Sequence, residues 1–179
     1  MDGSSEEPGA ETDAAGSGPG QFGLIWAVKP SFVSYVLRMS DGKAYITGGV
    51  TVDKDNQLLF PFDEEATVDP SDADAASTFC FGGQVVFQAH FGMLDVRITR
   101  PQLHLRGGDG ELTVTDPDSA EGGRLPLVTF TAAGPRVEDG VQYWTADDVR
   151  LTAEGVPVFG DVYPAGEPFA PFRIAAPGR

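Results

Sequence analysis

The sequence is poor in cysteine and in basic residues. Its 179 residues include a single cysteine, Cys80, and 12 Lys and Arg against 27 Asp and Glu, for a formal net charge of −15. One cysteine excludes an intramolecular disulfide and a thiolate metal cluster, which needs several cysteines at short spacing. An acidic protein repels phosphate backbones and anionic membranes, so nucleic acid is not an expected partner. We interpret Cys80 as a small buried hydrophobic residue.

Long apolar runs are also missing. No stretch approaches the ~20 apolar residues that span a bilayer, and the N-terminus lacks a basic segment followed by an apolar one. The sequence therefore predicts no membrane insertion and no ordinary signal peptide, which favours a cytoplasmic location. An exported domain whose leader has been removed would have the same sequence features.

Motifs of enzyme active sites are missing as well. The chain has no nucleophile elbow, no phosphate-binding loop and no His-rich zinc spacing. The segment Gly107-Gly-Asp-Gly110 is a turn rather than a nucleotide fingerprint, because no helix follows it. We therefore expect a protein that is not an enzyme.

Two segments are acidic and low in apolar residues. Residues 1–20 contain no aromatic or branched aliphatic side chain, so they cannot bury enough apolar surface to offset the entropy of ordering. We predict a disordered acidic tail over 1–20 and one domain over 21–176. A second acidic stretch, Asp63–Asp74, is interpreted as a long solvated loop, with calcium binding a weaker alternative.

The rest of the chain is dominated by short strand-like segments bounded by turn residues. Many short strands at this spacing, without helical crossovers, predict an all-β fold, an antiparallel sandwich or barrel. The predicted strands are 43–52, 57–62, 78–81, 84–90, 94–99, 102–105, 111–115, 125–131, 143–152 and 156–159.

One short α-helix is predicted near the N-terminus. Apolar residues recur at helical spacing from Val28 to Met39, with Pro30 near the start and Asp41-Gly42 at the end. This spacing places Tyr35 on the apolar face of the helix.

Three separated motifs resemble those of a known family. The segment Trp26-Ala-Val-Lys-Pro-Ser-Phe-Val-Ser-Tyr35 is similar to the opening W-x-V-K-x-S-F-x-x-Y of HtaA-type domains from actinobacterial haem-uptake proteins. Phe81–Asp95 resembles the F-G-G-x-V-x-F-x-G-H-x-G-x-L-D of that family, and Phe159–Gly166 its closing F-G-x-x-Y-x-x-G. The sequence departs from the pattern at Ala89, where the family often has Gly, and in the acidic insertion after Phe62.

The resemblance implies an all-β fold, an antiparallel β-sandwich with one short α-helix near the N-terminus. It also implies ferric haem b as cofactor, held between the helix and a sheet. By their positions in the motifs, Tyr35 would be the iron ligand, His90 would support it, and Ser31 would contact a haem propionate. Phe32 is a further candidate haem contact. The implied function is haem capture, transfer or buffering, with a haem donor or acceptor protein as a partner.

The same residues have other interpretations. A phenolate is a hard anionic donor suited to ferric iron, but Tyr35 could equally be a core tyrosine with its hydroxyl at the rim. His90 could be a strand-end histidine bonded to backbone. His104, on the polar side of the predicted strand 102–105, is expected to face solvent. The alternative function is a non-catalytic β-sandwich interaction or adhesion module without haem, and a haem-using enzyme is a third class.

Overall fold

The structure is a computed structural model that describes residues 22–68 and 76–178. The predicted tail, residues 1–20, lies outside the described residues. The one α-helix in the described part is α1 (Pro30–Arg38). The strands are β1 (Gly23–Trp26), β2 (Lys43–Thr47), β3 (Thr51–Val52), β4 (Leu58–Val68), β5 (Ser77–Phe81), β6 (Gln84–Ala89), β7 (Leu94–Thr99), β8 (Gln102–Arg106), β9 (Asp109–Thr115), β10 (Arg124–Glu138), β11 (Val141–Leu151) and β12 (Phe172–Pro177).

Eight strands form a closed antiparallel ring. Their order is β1, β12, β11, β10, β9, β8, β5 and β4, and β4 pairs back to β1. The short β3 pairs with Leu58 and Leu59 at the start of β4. The predicted all-β antiparallel class with one short helix is confirmed, but the ring is a barrel-like closed sheet and not two open layers. The reason is β1, which hydrogen-bonds to a neighbour on each side and leaves no gap between two sheets.

Two of the ring strands were not predicted from the sequence. In β1, Leu24 and Trp26 are fully buried, and the Trp26 indole N–H donates to the Ala170 carbonyl at 2.9 Å. In β12, Phe172 and Ile174 alternate with polar or small residues and point into the core. Both strands are short, so their alternation covers too few residues to stand out in the sequence.

Two other predictions are wrong in part. The predicted strand 156–159 is a single 3-10 turn, Pro157–Phe159, closed by Gly160 in the left-handed region. The predicted acidic loop Asp63–Asp74 starts as strand, because β4 continues to Val68. A bulge in this part of β4 is stabilised by the Thr67 hydroxyl, which donates to the Asp63 carbonyl at 2.7 Å. Residues 69–75 lie outside the described part.

A second, three-stranded sheet contains β6, the strand that leads directly to His90. Its order is β2, β6, β7, and all pairings are antiparallel. Val85, Phe87 and Ala89 of β6 are buried, and helix α1 packs against β2 and β6. This sheet and α1 therefore form a unit beside the ring.

Cys80 is buried and free, as predicted. Its thiol donates to the Ala66 carbonyl at 3.3 Å, and burial raises the pKa of the thiol. A raised pKa keeps the sulfur protonated and therefore poorly reactive.

Candidate functional site

The fold brings Tyr35 and His90 together from positions 55 residues apart in the chain. Tyr35 is on helix α1 and His90 begins the turn that follows β6. The Tyr35 Oη and His90 Nε2 atoms lie 2.6 Å apart, within hydrogen-bonding distance. The pair therefore couples a phenol oxygen to an imidazole nitrogen at the surface.

Helix α1 presents Tyr35 at the border of its buried face. Pro30 occupies the first helical turn, where its missing N–H has no cost, and Phe32, Val33 and Val36 are buried. The Tyr35 side chain is 47% exposed, so the predicted place on the apolar face is wrong. The buried stripe runs through Val33 instead, and about half of Tyr35 remains at the surface.

The turn that carries His90 has an unusual backbone. His90, Phe91 and Gly92 have φ values of 54°, 58° and 85°, all in the left-handed region. A non-glycine residue there costs roughly 1–2 kcal/mol, so two in succession need support. The Asp41 carboxylate provides it by accepting the Phe91 N–H at 2.6 Å, and this bond is the main reason that the pKa of Asp41 lies below its usual value.

The third sequence motif lies against the same helix. Phe32 packs edge-on against Phe159 and Tyr163, with ring centroids 5.3 and 6.5 Å apart. Burial, and after it the charges of Glu167 and Tyr35, raises the pKa of Tyr163. Tyr163 thus packs against the helix that carries Tyr35, and the sequence showed it only as a motif position.

The surroundings of His90 are apolar and exposed. Phe91 is 96% exposed and Met93 is 90% exposed. Three surface cavities of about 470, 510 and 540 Å³ lie elsewhere and are lined by neither Tyr35 nor His90. The candidate site is therefore an open surface with apolar residues around a polar pair.

The other two predicted site residues lie on α1 with different exposure. Ser31 is exposed in the first turn. Phe32 is only 3% exposed and also packs edge-on against Phe87 at 5.4 Å, so its ring belongs to the core beneath the site.

A comparison with protein families assigns the chain. Residues 21–175 match the model of the HtaA family, described as "Htaa". The chain belongs to the HtaA family. A search of curated proteins gave no match.

Solved structures of HtaA and HtaB domains share the fold of this HtaA-family chain. The C-terminal domain of HtaA from Corynebacterium glutamicum is 24% identical, with a TM-score of 0.71 over 88% of this chain and 98% of that one. The N-terminal domain of HtaA from the same organism is 19% identical, with a TM-score of 0.65 over 88% and 96%. The haem-binding protein HtaB, also from that organism, is 22% identical, with a TM-score of 0.58 over 85% and 90%.

The cytoplasmic location expected from the sequence is wrong. HtaA proteins are cell-surface or secreted haem-uptake proteins, and the chain is a member of that family. In the part that the structure describes, no helix is both long and apolar enough to cross a membrane.

The second histidine of this HtaA domain lies away from the Tyr35 pair. The His104 ring nitrogens lie 3.3 Å from the hydroxyls of Thr78 and Thr113, which are on the strands flanking β8. His104 is on the polar face of β8, as predicted, but it is partly buried and does not simply face solvent. Burial is the main cause that lowers the pKa of His104.

Proposed function

We propose that this chain binds ferric haem b reversibly, with Tyr35 Oη as the iron ligand and His90 supporting that oxygen. The observation that carries the proposal is the 2.6 Å contact between Tyr35 Oη and His90 Nε2. A free phenol loses its proton near pH ~10, so a phenolate at neutral pH needs a positive charge or a hydrogen-bond donor beside it. His90 is placed to donate, and haem would supply ferric iron.

The donor set suits haem better than a free metal ion. Among the described residues, no group of three or more His, Cys, Asp or Glu side chains could hold a metal ion. A single phenol oxygen fits an iron whose other bonds come from a porphyrin. The exposed rings and thioether around His90 are compatible with a large, flat, apolar ligand.

Ser31 is proposed to contact a haem propionate. It lies exposed in the first turn of α1, where backbone N–H groups are free of helical partners and favour an anion. Phe32 would act from below, by holding α1 on Phe87 and Phe159, and not by touching the haem face.

The function proposed is haem capture, transfer or buffering without catalysis, with a haem donor or acceptor protein as partner. An open site favours exchange, because a ligand can leave without a lid moving. Membership of the HtaA family and the likeness to the haem-binding protein HtaB support this role.

Hemin titration of the purified protein tests the proposal. Wild type should give a tyrosinate-type ferric spectrum, and Tyr35→Phe should lose that spectrum and pass hemin much faster to apomyoglobin. Tyr45→Phe is the matched control, because Tyr45 has a similar exposure, 46%. Its neighbour in β2, Ala44, pairs with the buried Phe87, so the Tyr45 side chain lies on the opposite face of that sheet from Phe87. An unchanged spectrum and release rate in Tyr35→Phe would eliminate Tyr35 as ligand. If wild type binds no hemin, haem binding is refuted and the alternative function, a non-catalytic interaction module, remains.

A further inference from the structure

Apart from the contact of His90 with Tyr35, the side chains of the turn that carries His90 do not anchor it. Its flanks, Ala89 and Leu94, are buried, but Phe91 and Met93 between them are almost fully exposed. Within the turn, the Met93 N–H donates to the His90 carbonyl at 3.1 Å, a bond that does not connect the turn to the rest of the protein. A strained turn whose side-chain contact to the rest of the protein is an exposed pair needs a further external contact to keep one conformation.

Asp41 supplies that external contact. It lies three residues beyond the end of α1, and its carboxylate accepts the Phe91 N–H at 2.6 Å. Carboxylate acceptors make shorter and stronger hydrogen bonds to N–H groups than neutral acceptors do. The bond therefore joins the segment that follows the Tyr35 helix to the turn that holds His90.

The position of Asp41 is itself fixed. The next residue, Gly42, donates its N–H to the Met39 carbonyl at 3.0 Å. A Cβ atom at Gly42 would lie 1.6 Å from the Val36 carbonyl oxygen, so this segment sits directly against the last turn of α1. Asp41 is thus held in place relative to the same helix that positions Tyr35.

We propose that Asp41 is a positioning residue for the haem site: it holds the His90 turn against the end of α1, so that His90 Nε2 stays on Tyr35 Oη. The inference rests on the proposed haem function and adds a residue that none of the three sequence motifs contains. Asp41 would not touch the haem. It would act through the Phe91 backbone and His90.

NMR of the haem-free protein tests the positional part directly. In Asp41→Ala, the Phe91 amide proton should exchange about tenfold faster or more, as expected for the loss of one charge-assisted hydrogen bond. The chain has only two histidines, so the His90 ring resonances should move while those of His104 stay. Asp41→Asn should restore most of both signals, because its amide oxygen can still accept the N–H.

Asp53→Ala is the matched control, because the Asp53 carboxylate accepts N–H groups of Asp55 and Gln57 within its own hairpin loop. It should leave the Phe91 and His90 signals unchanged. If Asp41→Ala also leaves both unchanged in the haem-free protein, the proposal is overturned.

Haem release tests the functional part. Asp41→Ala should speed hemin transfer to apomyoglobin by about three- to tenfold in the wild-type background, if part of the hydrogen bond to Tyr35 is lost. In the His90→Ala background, the same change should have less than about a twofold effect, because residues that act through one another are not additive. An equal effect in both backgrounds would show that Asp41 acts on haem by another route. Absence of hemin binding by wild type would refute the proposed function, while the haem-free NMR would still decide whether Asp41 positions His90.

Discussion

Replacing each of the chain's two histidines by alanine should have opposite effects on hemin binding and stability, and each variant serves as the control for the other. His90 bonds Tyr35 at the surface, whereas His104 bridges two threonines on the ring. We expect His90→Ala to weaken hemin binding and leave the fold nearly unchanged. We expect His104→Ala to leave hemin binding unchanged and reduce stability.

The size of each effect follows from the hydrogen bonds that the two histidines make. A hydrogen bond to a charged group such as a phenolate contributes roughly 1.5–3 kcal/mol, so losing it should weaken hemin binding about 10- to 150-fold. The same pair is solvent-exposed in the haem-free protein, so its loss there should cost less than about 1 kcal/mol of unfolding free energy. His104→Ala breaks two bonds of 3.3 Å in a partly buried place and should cost about 1–2 kcal/mol.

Hemin titration and urea denaturation of both variants measure the two effects separately. The spectrum of His90→Ala should also shift, because the ligand oxygen loses its hydrogen-bond partner. If His104→Ala is the variant with weaker hemin binding, or if both variants weaken it equally, the assignment of His90 as the supporting residue is wrong.

Three further results are expected. Tyr35→Ala should abolish the ferric tyrosinate spectrum and cost about 1–2 kcal/mol of stability by urea denaturation, less than a buried aromatic truncation because the ring is half-exposed; a cost above that range would mean that the ring is buried in solution. Because the pKa of His104 is lowered in the folded state, the unfolded chain takes up a proton at this residue first as pH falls below about 6.5, so from pH 7 to pH 5 the free energy of unfolding of wild type should fall relative to that of His104→Ala; a constant difference between the two proteins would rule out this contribution of His104. Gly42→Ala should destabilise by about 1–3 kcal/mol and speed hemin release, since the added methyl group meets the Val36 carbonyl; a thermal midpoint and release rate equal to wild type would contradict this packing.

Much of the strand pattern could be predicted from alternation and turn residues. Strand β7 coincides with the predicted 94–99, because Leu94, Val96 and Ile98 alternate with exposed Asp95 and Arg97. The hairpin turns at 107–108 and 139–140 follow from their glycines. Ring closure could not be predicted, since it depends on which strands pair across long separations, and alternation within a strand carries no information on its partner.

The candidate site, like the fold, could be predicted from the sequence only in part. The sequence motifs singled out Tyr35 and His90, and the structure brings the two together. The exposure of Tyr35 was missed because Val33, one residue off the predicted stripe, faces the core instead. Asp41 was interpreted only as part of a helix stop, because a carboxylate that accepts a backbone N–H 50 residues away leaves no local pattern in the sequence.

The closed ring also determines where the chain enters and leaves the domain. Strand β1 pairs antiparallel with β12, and Gly23 lies opposite Ala175, so the first and last strands have their outer ends side by side. A domain with adjacent ends can be inserted into a loop of another protein, or repeated along one polypeptide, without stretching its host. For the same reason, a circular permutant that joins the two ends through a short linker and opens the 53–57 loop should keep the ring and the surface that carries Tyr35 and His90.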